Sequence, residues 1–329
     1  MTRVAAVDCG TNSLRLLIAD VSPERGELAD VVRQMEIVRL GEGVDRTGQL
    51  AAGALGRTFG VLRRYADAIA ATGAGPVRMV ATSATRDAVN AAAFTGGVRA
   101  ILGIAPEVIS GDEEAALSFA GATAELAAAF PTIPAGPYLV VDIGGGSTEF
   151  VLGRQPAPGG NAGDGGVIAG SVSMDIGCVR LTERHLHSDP PRPGEIAAAG
   201  SDIDAALDVV ARKVPGAGRA TLVGLAGSVT TVAGIALGLP VYDASVIHHA
   251  RISAVDVHAV ATRLLGQTHA ERALVGVMHP GRVDVIGAGT LILDHVMARF
   301  GFPDVLVSEH DILDGIAWSL ASACGAAGQ

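Results

Sequence analysis

Val7-Asp8-Cys9-Gly10-Thr11-Asn12-Ser13-Leu14-Arg15-Leu16 stands near the start of the chain, and Val141-Asp142-Ile143-Gly144-Gly145-Gly146-Ser147-Thr148-Glu149-Phe150 stands near its middle. The two stretches align without a gap, 142 minus 8, or 134, residues apart. Each has a short apolar strand, an Asp, a Gly two residues on, a Ser three further, and then apolar residues again. The spacing has a physical use. An Asp at a strand end reaches past the sheet, and the Gly lets the backbone turn closely against a ligand. The following amides point at anionic oxygens, and the Ser hydroxyl adds a donor. One Asp-x-Gly could be an ordinary hairpin turn. Two copies at a domain's spacing, both behind buried strands, read as a duplicated phosphate-gripping unit.

Outward from these loops, apolar runs predict strands at Val4–Val7, Leu14–Asp20, Val31–Leu40, Val77–Ala81, Glu107–Ile109, Tyr138–Val141, Phe150–Leu152, Thr221–Leu225 and Val305–Val307. Leu55, Phe59, Leu62, Tyr65 and Ile69 recur at helical spacing in Ala51–Thr72. Further helices are expected after Arg86 through Asn90, ending at Ala100–Leu102, from Ser110 to about Phe130, and from about Asp311. Pro131–Pro137 reads as a linker and Pro156–Gly166 as a hairpin tip. Strands alternating with helices, with hairpins among them, predict an α/β fold with mixed sheets.

The chain has 329 residues, enough for about two domains at roughly 150 residues each. Lys213 is the only lysine and lies in Arg-Lys-Val-Pro-Gly, which excludes a Walker A loop and lysine Schiff-base chemistry. The net charge of −10 offers no basic face for nucleic acid, so nucleic-acid binding is not expected. Cys9, Cys178 and Cys324 are far apart and form no CxxC, so neither a disulfide framework nor a structural zinc is expected. No apolar run approaches the ~20 residues of a membrane span, and no membrane partner is expected. A reducing cytoplasm is the expected compartment. His185, His187, His248 and His249 have no metal-binding spacing, and Gly287-Ala288-Gly289 is too short for a dinucleotide fingerprint.

The paired hairpins resemble those of the actin/Hsp70/sugar-kinase superfamily. Val80–Asn90, Val108–Leu117, Asp142–Glu149, Ser171–Leu181 and Arg282–Asp284 with Gly287 are similar, in that order, to motifs of the exopolyphosphatase/guanosine pentaphosphatase family. The likeness runs from about residue 3 to 318. It implies two ribonuclease-H-like (actin-like ATPase) domains flanking a cleft: residues 1–128, residues 129–305 and a C-terminal helix, 306–329, returning to the first domain. It also implies Mg²⁺-dependent removal of terminal phosphate from inorganic polyphosphate, with Mn²⁺ as an alternative metal. Guanosine pentaphosphate 5′-phosphohydrolysis is the second reading; an actin-like ATP-binding protein or a small-molecule kinase is the reading outside hydrolases. A homodimer is expected. There are departures. Thr11 stands where the family often has Ser. Asp311-Ile-Leu-Asp-Gly315 lacks the Arg of the family's Gly-Leu-Arg-Glu-Gly. The chain ends where longer members continue into a helical domain, so a preference for short polyphosphates is expected.

The resemblance assigns roles by position. Glu114 is the expected general base, which must take a proton from water aligned behind the terminal phosphorus. Arg86 is the expected phosphate partner, since a guanidinium fork suits phosphate oxygens; Arg15 and Arg282 are weaker candidates. Asp142, with Glu149 and the symmetric Asp8, is the expected metal set, because Mg²⁺ needs only one or two carboxylates. Thr11, Asn12, Ser13, Gly144, Gly145, Gly146, Ser147 and Thr148 are the expected phosphate loops, and Gly227 and Ser228 a further substrate contact. The competing structural explanation for Asp112, Glu113 and Glu114 is that they are first-turn acids complementing a helix dipole.

Overall fold

The computed structural model describes residues 1–126, 136–155 and 166–327. Residues 127–135 and 156–165 lie outside this description. Most of the proposed linker, most of the hairpin tip, the helix extension to Phe130 and the boundary at 128/129 fall there. The chain divides into two compact units. The first comprises residues 1–135, 154–167 and 311–329; the second comprises 136–153 and 168–310.

The first unit begins with β1 (Thr2–Cys9), β2 (Ser13–Ser22) and β3 (Glu27–Ile37), an antiparallel meander. The single turn α1 (Val44–Thr47) and the long α2 (Ala52–Thr72) follow. β4 (Val77–Ala81) then pairs parallel with β1, and β5 (Glu107–Val108) parallel with β4, giving the order β3-β2-β1-β4-β5. Between β4 and β5 lie the single turn α3 (Ser83–Arg86) and α4 (Ala91–Leu102); α5 (Gly111–Thr123) follows β5.

Strand alternation divides the residues of this sheet between two cores. Ala5, Val7, Leu14, Leu16 and Ile18 pack with Leu62, Tyr65 and Ile69 of α2 and Phe94 and Val98 of α4. Val4, Ala6, Leu17, Ala19 and Val21 pack with the last helix of the chain, α13 (Ile312–Ala327), through Ile312, Ile316 and Trp318.

The second unit repeats the opening. β6 (Tyr138–Ile143) and β7 (Thr148–Arg154) form an antiparallel hairpin, and β9 (Thr221–Leu225) pairs parallel with β6. With β8 (Val167–Met174), β10 (Arg251–Ser253) and β11 (Asp304–Val307) the order is β10-β11-β9-β6-β7-β8. Its helices are α6 (Cys178–His185), α7 (Pro193–Lys213), α8 (Ala226–Ala236), α9 (Ala244–Ile247), α10 (Ala254–Gly266), α11 (His269–Ala273) and α12 (Ile286–Phe300). Leu139, Val141 and Phe150 share one aliphatic core with Ile203, Leu207 and Val210 of α7 and Leu291 and Leu293 of α12.

Several expectations change. Residues Val38–Leu40 leave the third strand because the Val38 and Arg39 amides turn to donate to the Asn12 carbonyl. No helix runs through Asn90: its side chain cross-links to the Leu50 backbone in both directions, at 2.8 and 3.0 Å, and α4 starts at Ala91. Ala226–Ser228, directly after β9, form the first turn of α8. The C-terminal segment leaves the second unit at 310/311, since Leu306 and Val307 pair with Val223 and Gly224 of β9.

Candidate active site

The two hairpins match at the level of single hydrogen bonds. The Gly10 amide donates to the Ser13 carbonyl at 3.0 Å, and the Gly144 amide to the Ser147 carbonyl at 3.0 Å. Asp8 stands opposite Arg15 on the neighbouring strand, and Asp142 opposite Glu149. Cross-strand partners share a face. The loop carboxylate therefore meets a cation in the first copy and a second carboxylate in the other.

In the first unit Asp8 is 2% exposed. Its Oδ2 accepts from Arg15 Nε at 2.9 Å and Nη2 at 2.7 Å, while its Oδ1 has no hydrogen-bond partner among the described residues. Burial pushes the carboxyl above its ordinary range, opposed by the Arg15 charge. Arg15 also pairs with Asp311. Thr11 shares a hydroxyl hydrogen bond with Ser83 at 2.9 Å, tying the loop to the start of α3. Gly41 must lack a side chain: a Cβ there would lie 2.3 Å from Thr11 Cγ2. The carbonyls of Thr11 and Asn12 accept from Gly41 and from Val38 and Arg39, so this loop is held from behind.

The first turn of α5 separates its acids. Ser110 caps the helix by accepting from the Glu113 amide. Glu113, 45% exposed at its side chain, pairs with Arg78 at 2.7 Å, as a first-turn acid can. Glu114 is only 8% exposed and lies 3.2 Å from Arg86 Nη1, which also donates to the Ile109 carbonyl at 2.9 Å. A buried carboxylate against a guanidinium is in an environment unlike that of its neighbour, although the two are adjacent in sequence.

In the second unit Asp142 and Glu149 are both buried, and Glu149 Oε1 accepts from Ser173 Oγ at 2.8 Å. The glycine loop turns its carbonyls to the start of α6. Gly144 accepts from the Cys178 amide, Gly145 from Val179 and Arg180, and Gly146 from Arg180 Nε at 2.6 Å. Gly177 allows the approach, since a Cβ there would meet the Gly145 carbonyl oxygen at 2.4 Å. Ser147 is buried. The Thr148 hydroxyl donates to the Ile176 carbonyl at 2.6 Å, a structural bond that fixes the strand. Gly227 and Ser228 open α8 after Ala226, whose φ is +67°. A Cβ on Gly227 would lie 2.1 Å from Arg282 Cζ, so that guanidinium rests directly on the turn. Ser228 borders Gly289 and Cys178, whose thiol burial pushes up to about 11.

The buried Asp142–Glu149 pair supplies the hard oxygen ligands a Mg²⁺-type cation takes, two carboxylates on one face of adjacent strands. Asp8 fits less well, since Arg15 holds one of its oxygens. Sequence reading did not single out Arg180, Ser83, Ser173 or Asp311. Arg180 and Ser173 lay inside the quoted Ser171–Leu181 motif, Ser83 inside Val80–Asn90, and Asp311 at the head of Asp311–Gly315, but none of the four was given a role.

Residues 17–322 match the Ppx/GppA phosphatase family. The chain is 48% identical over 332 residues to Exopolyphosphatase 2 of Mycobacterium tuberculosis, an alignment covering 98% of this chain and 99% of that protein. A crystal structure of an exopolyphosphatase-like protein superposes with a TM-score of 0.89 at 42% identity, covering 98% and 100% of the two chains. The Ppx/GppA family member from Aquifex aeolicus superposes with a TM-score of 0.78 at 28% identity, covering 98% of each chain. The two-unit α/β architecture thus superposes over nearly its whole length on members of this family. The chain belongs to the Ppx/GppA phosphatase family.

Proposed function

We propose that this chain is an exopolyphosphatase that hydrolyses the terminal phosphoanhydride of inorganic polyphosphate and releases orthophosphate. It is a phosphoanhydride hydrolase of its family. The observation that carries the residue assignment is the buried Glu114 carboxylate against Arg86, at the start of a capped helix. In this reading Glu114 takes a proton from water as the water oxygen bonds to the terminal phosphorus. The bridging P–O bond breaks and leaves a chain one phosphate shorter. Arg86 orients Glu114 and offers its remaining donors to phosphate oxygens. Each loop offers donors to phosphate oxygens in this reading: residues 11–13 in the first unit, and residues 145–147 in the second, with Arg180 beside that loop and Arg282 on the Gly227–Ser228 turn adding charge. Asp142 and Glu149 would hold Mg²⁺, or Mn²⁺ in its place, whose chemistry is to neutralise phosphate charge. Asp8 would assist through its open oxygen.

Short chains are the favoured substrates, the enzyme works as a homodimer, and the free thiols of Cys9, Cys178 and Cys324 suit a cytoplasmic setting. A guanosine-5′-triphosphate,3′-diphosphate pyrophosphatase of Pseudoalteromonas atlantica, 34% identical over 209 residues, supports pppGpp as the second substrate to test. The deciding measurement is phosphate release from polyphosphates of defined length, beside pppGpp and ATP, with and without Mg²⁺. Fastest release from short polyphosphates, lost on chelation, is expected. Release from pppGpp alone would move the assignment to the second reading, and release from none would end both.

A further inference from the structure

The carbonyls of the glycine loop in the second unit are all taken by α6. Gly144 accepts from the Cys178 amide at 3.0 Å, and Gly145 from the Val179 and Arg180 amides at 2.9 and 3.1 Å. Gly146 accepts from Arg180 Nε at 2.6 Å. A peptide unit is planar and trans, so the carbonyl of one residue and the amide of the next point in opposite directions. Carbonyls turned toward α6 therefore turn the amides of Gly145, Gly146 and Ser147 away from it together. Among the described residues, none of these amides has an acceptor. Ser147 is buried. A buried amide left unpaired is costly, so a row of them suits an anion that brings its own oxygens.

The holds on the carbonyls are not alike. Gly144 and Gly145 are held by main-chain amides of α6, which no change of side chain removes. Gly146 is held by a side chain. In the first loop main-chain donors serve throughout: the Thr11 carbonyl accepts from Gly41, and the Asn12 carbonyl from Val38 and Arg39. The direction of the Ser147 amide thus depends on one side chain, and Gly146 has no Cβ to limit rotation of that peptide plane.

We propose that Arg180 is a positioning residue for phosphate binding: its Nε–H holds the Gly146 carbonyl against α6 and so aims the Ser147 amide at a phosphate oxygen of the substrate. The inference rests on the hydrolytic reading above and sharpens it. The charge that Arg180 adds beside the loop is secondary to the single bond from Nε. A charge and a clamp have different chemical needs. Lys keeps the charge but puts a methylene beyond Cδ, where Arg has its Nε–H. Gln puts an N–H at that same place and carries no charge.

The test compares Arg180→Gln, Arg180→Lys and Arg180→Met. Tripolyphosphate hydrolysis and thermal unfolding are measured for each, and tripolyphosphate affinity by calorimetry on a Glu114→Gln background, where turnover is slow. Arg180→Gln should keep KM and affinity within about threefold of the parent. Arg180→Lys and Arg180→Met should each weaken both by about tenfold or more, the worth of one hydrogen bond to a charged group. Crystal structures of Arg180→Gln and Arg180→Met read the clamp directly. The Gly146 carbonyl should stay against α6 in the first and leave it in the second. Affinity kept by Lys and lost by Gln would make Arg180 a phosphate ligand through its charge. A lower melting temperature in Arg180→Met with affinity unchanged would make the bond merely structural. A Gly146 carbonyl unmoved in Arg180→Met would show that the loop needs no clamp. Each of these overturns the proposal. If the unmodified chain releases phosphate from no substrate, the hydrolytic reading fails by itself. The clamp then stands or falls on the two crystal structures and on the order of tripolyphosphate affinities, which need no turnover.

Discussion

At the scale of single residues, environment separates groups that sequence leaves alike. Asp112, Glu113 and Glu114 are three consecutive acids, yet only Glu114 is both buried and set against Arg86. Glu114→Gln keeps the shape and removes the carboxylate proposed as the base. Turnover should fall by roughly 10²–10⁴-fold, the usual worth of a general base, with polyphosphate still bound; near-normal turnover would return Glu114 to the status of a helix-dipole acid. Glu113→Gln, which touches only the exposed Arg78 pair, should leave kcat within about twofold, since such pairs contribute little. The second hairpin offers a test that needs no turnover. Asp142 and Glu149 are like charges buried on adjacent strands, so Mg²⁺ should raise the melting temperature of the unmodified chain through mass action. Glu149→Gln removes one of the two charges. Against its own metal-free melting temperature it should lose most of the Mg²⁺-dependent rise. An undiminished rise in that variant would place the metal elsewhere.

At the scale of elements, α5 is set by glycines at a helix–helix crossing. A Cβ on Gly121 of α5 would lie 1.9 Å from the Asp311 carbonyl oxygen, and one on Gly315 of α13 would lie 2.0 Å from the Leu117 carbonyl oxygen. Both obstacles are backbone, so neither can rotate away. Gly121→Ala and Gly315→Ala should each destabilise the first unit by about 3 kcal/mol or more, at the high end of overpacking costs. Each should also lower kcat, because α5 carries Glu114 and must shift to make room. A melting temperature within a degree of the parent in either variant would mean the helices have another way to pack. This is also where the sequence stops being legible. The hairpins are local, and Asp-x-Gly-x-x-Ser marks both of them. The α5–α13 contact joins residues about two hundred positions apart, and nothing in Gly121 or Gly315 distinguishes them from the many other glycines. β10 escaped notice because three residues carry no readable alternation. Asn90 misled because a helix-compatible stretch was overridden by a side-chain cross-link to Leu50.

At the scale of the whole molecule, the chain passes out of the first unit and returns to it. β1 and α13 belong to one sheet-and-helix layer although they lie at opposite ends of the sequence. The first unit is therefore complete only when residues 311–327 have docked. The resemblance anticipated a returning helix, but composition and periodicity could not, since they are blind to which apolar face a distant helix covers. Four residues, the tryptophan and the three cysteines, make this testable in one experiment. Trp318, the single tryptophan, is buried on α13 against one face of the first sheet. Cys9 is buried against the other face, and burial holds its thiol well above the ordinary range. Cys178 lies in the second unit with its thiol pushed up to about 11. Thiolate is the reactive form, so at pH 8 the folded chain should alkylate chiefly at the partly exposed Cys324. Under increasing denaturant, labelling of Cys9 should appear at the same midpoint as the red shift of Trp318 emission, because one sheet joins the two cores. Cys178 should follow the unfolding of its own unit, whether or not that midpoint coincides. Labelling of Cys9 while Trp318 emission stays blue would show that the sheet opens on its α2 face before α13 leaves, and the first unit would not be the single cooperative layer its packing describes.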